Sequence, residues 1–180
     1  MAEVSTPERA ALWRAAWRGE DVWEALFEGY RAAVDWPVAA FWPQLMRVYP
    51  EAKILLTIRD AHSWYRSARN TIFQRMMDRE RLADPSQHER VSMAREIIAS
   101  GTFDDRLDDE AHCIDVFEAN VARCKAEVPR DRLIVFEASQ GWAGLCEPLG
   151  LPIPDREYPS VNSTAEFRAR WAMGASPDNA

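Results

Sequence analysis

Arg59 and Ser67 have the clearest claim to chemistry in the chain, standing eight positions apart in IRDAHSWYRS. A guanidinium suits bidentate pairing with a phosphate, and a helical hydroxyl nearby would add a neutral donor. The plainer alternatives are an ion pair of Arg59 with Asp60 or an acidic helix, and a small helical residue at Ser67. Asp35, in Asp35-Trp36-Pro37, stands just ahead of a helix that its carboxylate is able to cap. Ser139, Gln140, Gly141 and Trp142 follow a second apolar run and read either as pocket lining or as a helix cap with a packed Trp. Ser63 reads as a helix N-cap. His62, His88 and His112 are scattered, without metal-ligand spacing, so no metal is expected.

Elements predicted from the pattern place these residues. Lys53 to Ile58 is an almost unbroken apolar run, which predicts a parallel strand buried on both faces. After it, Trp64, Ala68, Ile72 and Met76 recur every fourth residue, the mark of a helix face. Open α/β sheets bind ligands at the carboxyl ends of their strands, where Arg59 falls. Leu133 to Phe136 predicts a second fully buried strand. Tyr30 to Val34 predicts a short third strand ending at Asp35. Helices are expected from a Ser5-Thr6-Pro7-Glu8 start, with a hydroxyl cap, to near Gly19, over about 21–29, 39–49, 86–100 and 108–128, from about 141 to Leu149, and over about 165–173. Gly101 is expected to end the fourth of these. Residues 174–180 read as a loose tail.

An Arg at the end of a buried strand, followed eight residues later by a helical Ser, resembles the 3′-phosphate signature of PAPS-dependent sulfotransferases. The segment YPEAKILLTIRD..SWYRSARNTI resembles a bacterial and fungal branch of P-loop sulfotransferase-like proteins, and FE.SQGW at residues 136–142 matches as well. The likeness runs from about Trp13 to about Phe167. It implies a three-layer α/β fold, helix-rich, with a small parallel sheet of two or three strands. It also implies sulfuryl transfer from PAPS to a hydroxyl or amine of a small-molecule acceptor, without a metal. Arg59 and Ser67 would hold the 3′-phosphate of PAPS or of its product PAP. Asp35 falls where the family places a general base, usually His, before a Pro; a suitably poised carboxylate can do that work.

The likeness also implies an N-terminal strand and a Gly-rich loop that cradle the 5′-phosphosulfate. The seven glycines of these 180 residues never cluster in that way. One sulfotransferase-like domain over 1–180, N-terminally truncated relative to the family, is therefore expected. A gap is expected between the strands at 53–58 and 133–136, filled by another strand, a dimer partner or a domain swap. An inactive remnant serving as a binding or oligomerisation module is the alternative to an enzyme. A nucleotide kinase or NTPase would need a GK[ST] loop, which is absent.

Composition bounds the rest. Twenty-two Lys and Arg against 29 Asp and Glu give a net charge of −7, which argues against nucleic acid or an anionic membrane as partner. Three cysteines without a CxxC pair point to reduced, buried thiols in a cytoplasmic protein. No run of 18 apolar residues and no signal-peptide core appear. Eight tryptophans are expected to serve packing.

Overall fold

The structure, a computed structural model, describes residues 6–77 and 88–159 together with 166 and 169. The helix expected over 165–173 and the tail at 174–180 lie outside the described residues, except that Glu166 and Ala169 are helical. The first helix, α1 (Pro7–Trp17), starts as the sequence dictates, with the Thr6 hydroxyl accepting from Arg9 N and Pro7 in the first turn. A short helix, α2 (Trp23–Phe27), follows, then a 3₁₀ turn (Val38–Phe41) that runs into α3 (Trp42–Val48). Trp13, Trp17 and Trp23 all meet Phe41, at ring-centroid distances of 5.5, 5.8 and 5.4 Å. These tryptophans are core, and much of the apolar interior is helix against helix.

The sheet has two parallel strands, β1 (Ile54–Thr57) and β2 (Leu133–Phe136), with Ile54 opposite Leu133 and Thr57 opposite Phe136. The chain is thus a helix-rich α/β fold with a small parallel sheet, as expected. Three details differ. Tyr30 to Val34 forms no strand: Asp35 has φ +65° and breaks extension at that point. Burial on both faces also fails, because Leu55 and Val135 are each about 40% exposed. Third, β1 and β2 pair with each other directly, leaving no gap between them. Backbone bonds from Ile54 N to Arg132 O (2.8 Å) and from Ile58 N to Phe136 O (2.9 Å) close the ladder at both ends. Direct pairing satisfies groups that would otherwise be orphaned.

Arg132 fixes the start of β2. Its guanidinium donates to the carbonyls of Met46 (3.3 Å), Tyr49 (2.9 Å) and Ala52 (2.9 Å), so it caps the end of α3 and orients the approach to β1.

After β1 comes α4 (Ala61–Ala68), which opens into a π segment (Arg69–Phe73) and continues as α5 (Gln74–Met77). The wider π turn corrects the expected stripe. Tyr65, Ala68, Thr71, Phe73 and Met76 are buried, whereas Ile72 is 37% exposed. One extra residue in the turn rotates Ile72 outward and seats Phe73 against Trp64, Tyr65 and Phe103.

A second such run comprises α6 (His88–Ala94), a π segment (Arg95–Ser100) and α7 (Gly101–Phe103). Gly101 therefore does not end the helix; Asp104 and Asp105, both at positive φ, do so. Gly101 is required because a Cβ there would lie 2.3 Å from the Trp17 ring and 2.7 Å from the Glu96 carbonyl. The long helix α8 (Glu110–Glu127) is capped by Asp109, and α9 (Gly141–Leu149) ends at Gly150 with φ +66°. All three cysteines are free and buried. Among the described residues, no helix is long and apolar enough to cross a membrane.

Candidate functional site

The carboxyl ends of β1 and β2 lie side by side and open into two loops, Ile58–Asp60 and Glu137–Gln140. Arg59 stands in the first of these, at the junction with α4. Its Nη2 donates to Ser63 Oγ at 2.8 Å. Asp60, rather than Ser63, is the N-cap: its carboxylate accepts from Ser63 N at 2.7 Å. The expected alternative of an Arg59–Asp60 ion pair is not formed, because Asp60 is committed to the helix end. Ser63, set aside as a cap in the sequence, instead orients the guanidinium. The signal was present: Asp60 stands three residues before Ser63, and Ser63 lies four residues after Arg59.

Ser67 lies one turn beyond Ser63 on the same side of α4, half-buried, and its carbonyl accepts from Thr71 Oγ1 at 2.6 Å. Two neighbouring side chains, His62 and Arg69, are tied to the acidic start of α8. His62 Nδ1 lies 3.0 Å from Glu110 Oε1, and Arg69 pairs with Asp108 at 2.7 Å. His62 is thus exposed and engaged by a carboxylate. Asp109, next to these acids, is held below the ordinary Asp range, first by the His112 backbone N–H and then by Arg106. Arg59, at the start of α4, has no carboxylate partner among the described residues.

Asp35 sits on the loop before the 3₁₀ turn. Its Oδ1 accepts from Trp36 N at 2.8 Å and its carbonyl from Ala39 N at 2.9 Å. The carboxylate therefore holds its own turn and does not cap the following helix. Asp35 makes no direct contact with Arg59, but an aromatic path links their elements. Trp36 meets Phe103 at 6.3 Å, Phe103 meets Trp64 at 6.1 Å, and Trp64 adjoins Ser63 in α4.

At the end of β2 the capping reading holds, in an altered form. Gln140 Oε1 accepts from Glu137 N at 2.7 Å, while Glu137 caps the 3₁₀ turn Ala138–Gln140. Trp142 is only half-buried and pins the loop after α9: its Nε1 donates to Arg156 O at 2.9 Å and its ring meets Tyr158 at 5.0 Å. Among the described residues, no group of three or more His, Cys, Asp or Glu is placed to hold a metal ion.

A helix-rich α/β fold with an uncompensated Arg at the carboxyl end of a parallel strand is of the kind that grips an anionic ligand. A family model described as a sulfotransferase domain matches residues 1–167, and the chain belongs to that family. It is also similar to "Ava biosynthesis cluster protein M" of Aspergillus versicolor, at 29% identity over 175 residues. That alignment covers 86% of this chain and 66% of the relative, so the chain spans just under two thirds of the relative's length.

Proposed function

We propose that this chain serves sulfuryl transfer from PAPS to a hydroxyl or amine of a small-molecule acceptor. The observation that carries the reading is Arg59, aimed by Ser63 and free of any carboxylate among the described residues, in a chain of the sulfotransferase family. Its remaining N–H groups suit the 3′-phosphate of the donor, with Ser67 one turn along as the neutral donor. No Gly-rich loop for the phosphosulfate end occurs within residues 1–180, so these residues fit one end of the nucleotide.

In this reading the acceptor oxygen or nitrogen forms a bond to sulfur as the sulfur–oxygen bond to the 5′-phosphate breaks, in line. Asp35 takes the acceptor's proton, and the bisphosphate departs with the bond's electron pair. Arg59 and Ser67 contribute by holding the nucleotide in register.

The test is calorimetric titration with adenosine 3′,5′-bisphosphate, on the parent protein and on Arg59→Ala. Micromolar binding that disappears in the variant supports the reading; no binding to the intact protein removes it. A second reading rests on the two-stranded sheet, whose outer edges have no strand partner among the described residues. Such edges suit a binding or oligomerisation module. A chain that ignores the nucleotide and sediments as a dimer would favour it.

A further inference from the structure

We propose that Thr71 is a positioning residue for Ser67. The inference rests on the phosphate role proposed above for Ser67. Among the described residues Thr71 is the one polar residue that is buried, at 9% exposure, and it occupies the inward position that the four-residue period assigns to Ile72. Burying a hydroxyl where an isoleucine would serve is unfavourable unless the hydroxyl is used. It is used: Oγ1 donates to the Ser67 carbonyl at 2.6 Å.

The location explains the need. Residues 69–73 wind as a π turn directly after α4, and a change of winding shifts the carbonyls of the preceding turn away from their regular amide partners. Ser67 lies in that preceding turn, and the Thr71 hydroxyl gives its carbonyl a fixed partner. On the other side of Ser67, one turn back, Ser63 holds Arg59. The bond that aims the guanidinium thus lies one turn before Ser67, and the Thr71 bond fixes the backbone of Ser67 itself. The π turn is in turn locked by Phe73, which is 1% exposed and meets Phe103 at 5.2 Å. Thr71 touches no ligand in this arrangement; it acts through Ser67.

A double-mutant cycle read by affinity for adenosine 3′,5′-bisphosphate tests this, with thermal unfolding as the structural control. Thr71→Val, of similar shape, is expected to weaken binding about tenfold, the worth of one well-placed hydrogen bond. Thr71→Ser, which keeps the hydroxyl, is expected to stay within about twofold of the parent, and Thr71→Val in a Ser67→Ala background to add nothing. If Thr71→Val fails to fold, Thr71→Ala removes the hydroxyl with no added methyl and takes its place in the cycle. Lowered thermal stability with parental affinity would overturn the inference. So would an equal loss in the Ser67→Ala background, since that loss would not pass through Ser67. Binding that needs Arg59 but ignores Thr71 removes this inference alone, whereas no binding by the parent removes the donor reading and this inference with it.

Discussion

Arg59 Nη2 and Ser63 Oγ are joined at 2.8 Å across the turn where β1 gives way to α4. A hydroxyl that accepts from a guanidinium still has its own proton to donate, so the pair presents donors on both members. Asp60, the carboxylate nearest in sequence, is occupied by Ser63 N. Among the described residues no carboxylate at the junction neutralises the guanidinium, and an incoming phosphate would do so. Ser63→Ala should weaken adenosine 3′,5′-bisphosphate about three- to tenfold by releasing the side chain. Arg59→Lys should cost more than about tenfold, because an ammonium cannot reproduce the fork. Titration calorimetry on both variants checks the order.

Asp35 permits a separation of chemistry from architecture. Asn tolerates positive φ and its amide oxygen can accept from Trp36 N, so Asp35→Asn should keep the loop. Unfolding free energy should change by less than about 0.5 kcal/mol. Turnover with a competent acceptor should fall by about 10² to 10⁴, the worth of a positioned base. Parental turnover in Asp35→Asn would assign the proton transfer to another group.

Gly101→Ala should destabilise the fold by about 1–3 kcal/mol in urea unfolding, the usual cost of overpacking. The reason is the 2.3 Å approach to the Trp17 ring, which belongs to a packed aromatic cluster and cannot swing aside. An ordinary helical glycine would gain stability from the same change.

Burial pushes the Cys113 thiol up to about 11, from an ordinary value of 9.0, with Asp109 adding to the effect. Below pH 9 the thiol is protonated in both the folded and unfolded chain, and its contribution is fully present. Between about 9 and 11 the unfolded chain ionises first, so stability falls as pH rises through that window. The full loss is on the order of 2 kcal/mol. Cys124 and Tyr65 are raised by burial in the same direction, so Cys113→Ser should make the alkaline slope shallower without abolishing it. Denaturant midpoints measured from pH 8 to 11 give the comparison.

Where local pattern set the element, the sequence was readable: the runs at 53–58 and 133–136 contain the two strands, though not buried on both faces, and the hydroxyl-Pro start and the helix expected over about 108–128 form as Pro7–Trp17 and Glu110–Glu127. It misled where the period changes. The Trp64, Ala68, Ile72, Met76 stripe fits an α-helix well, and nothing in its composition announces an extra residue at 69–73. Gly101 looked like a stop because its true constraint, the Trp17 ring, comes from 84 positions earlier in the chain. The position of Arg59 at the strand end was legible from strand context, and Ser67 was singled out from resemblance alone. Ser63 was passed over because a Ser ahead of a helix is so good a cap, and Asp60 was the better one.

The pairing of β1 with β2 also sets a timetable for the newborn chain. Ala52 and Arg132, at the entrance to the two strands, are 80 positions apart. At roughly 5–20 residues per second, β1 leaves the ribosome about 4–16 s before β2 and Arg132 follow. During that wait the Met46, Tyr49 and Ala52 carbonyls lack their guanidinium and Leu55 lacks its neighbouring strand. The helices through α8 are already available by then, so the helical core docks first and the sheet closes last. A protease pulse applied to stalled nascent chains in which residue 136 has not yet, or has already, emerged from the ribosome should show the 49–60 segment change from cleavable to protected.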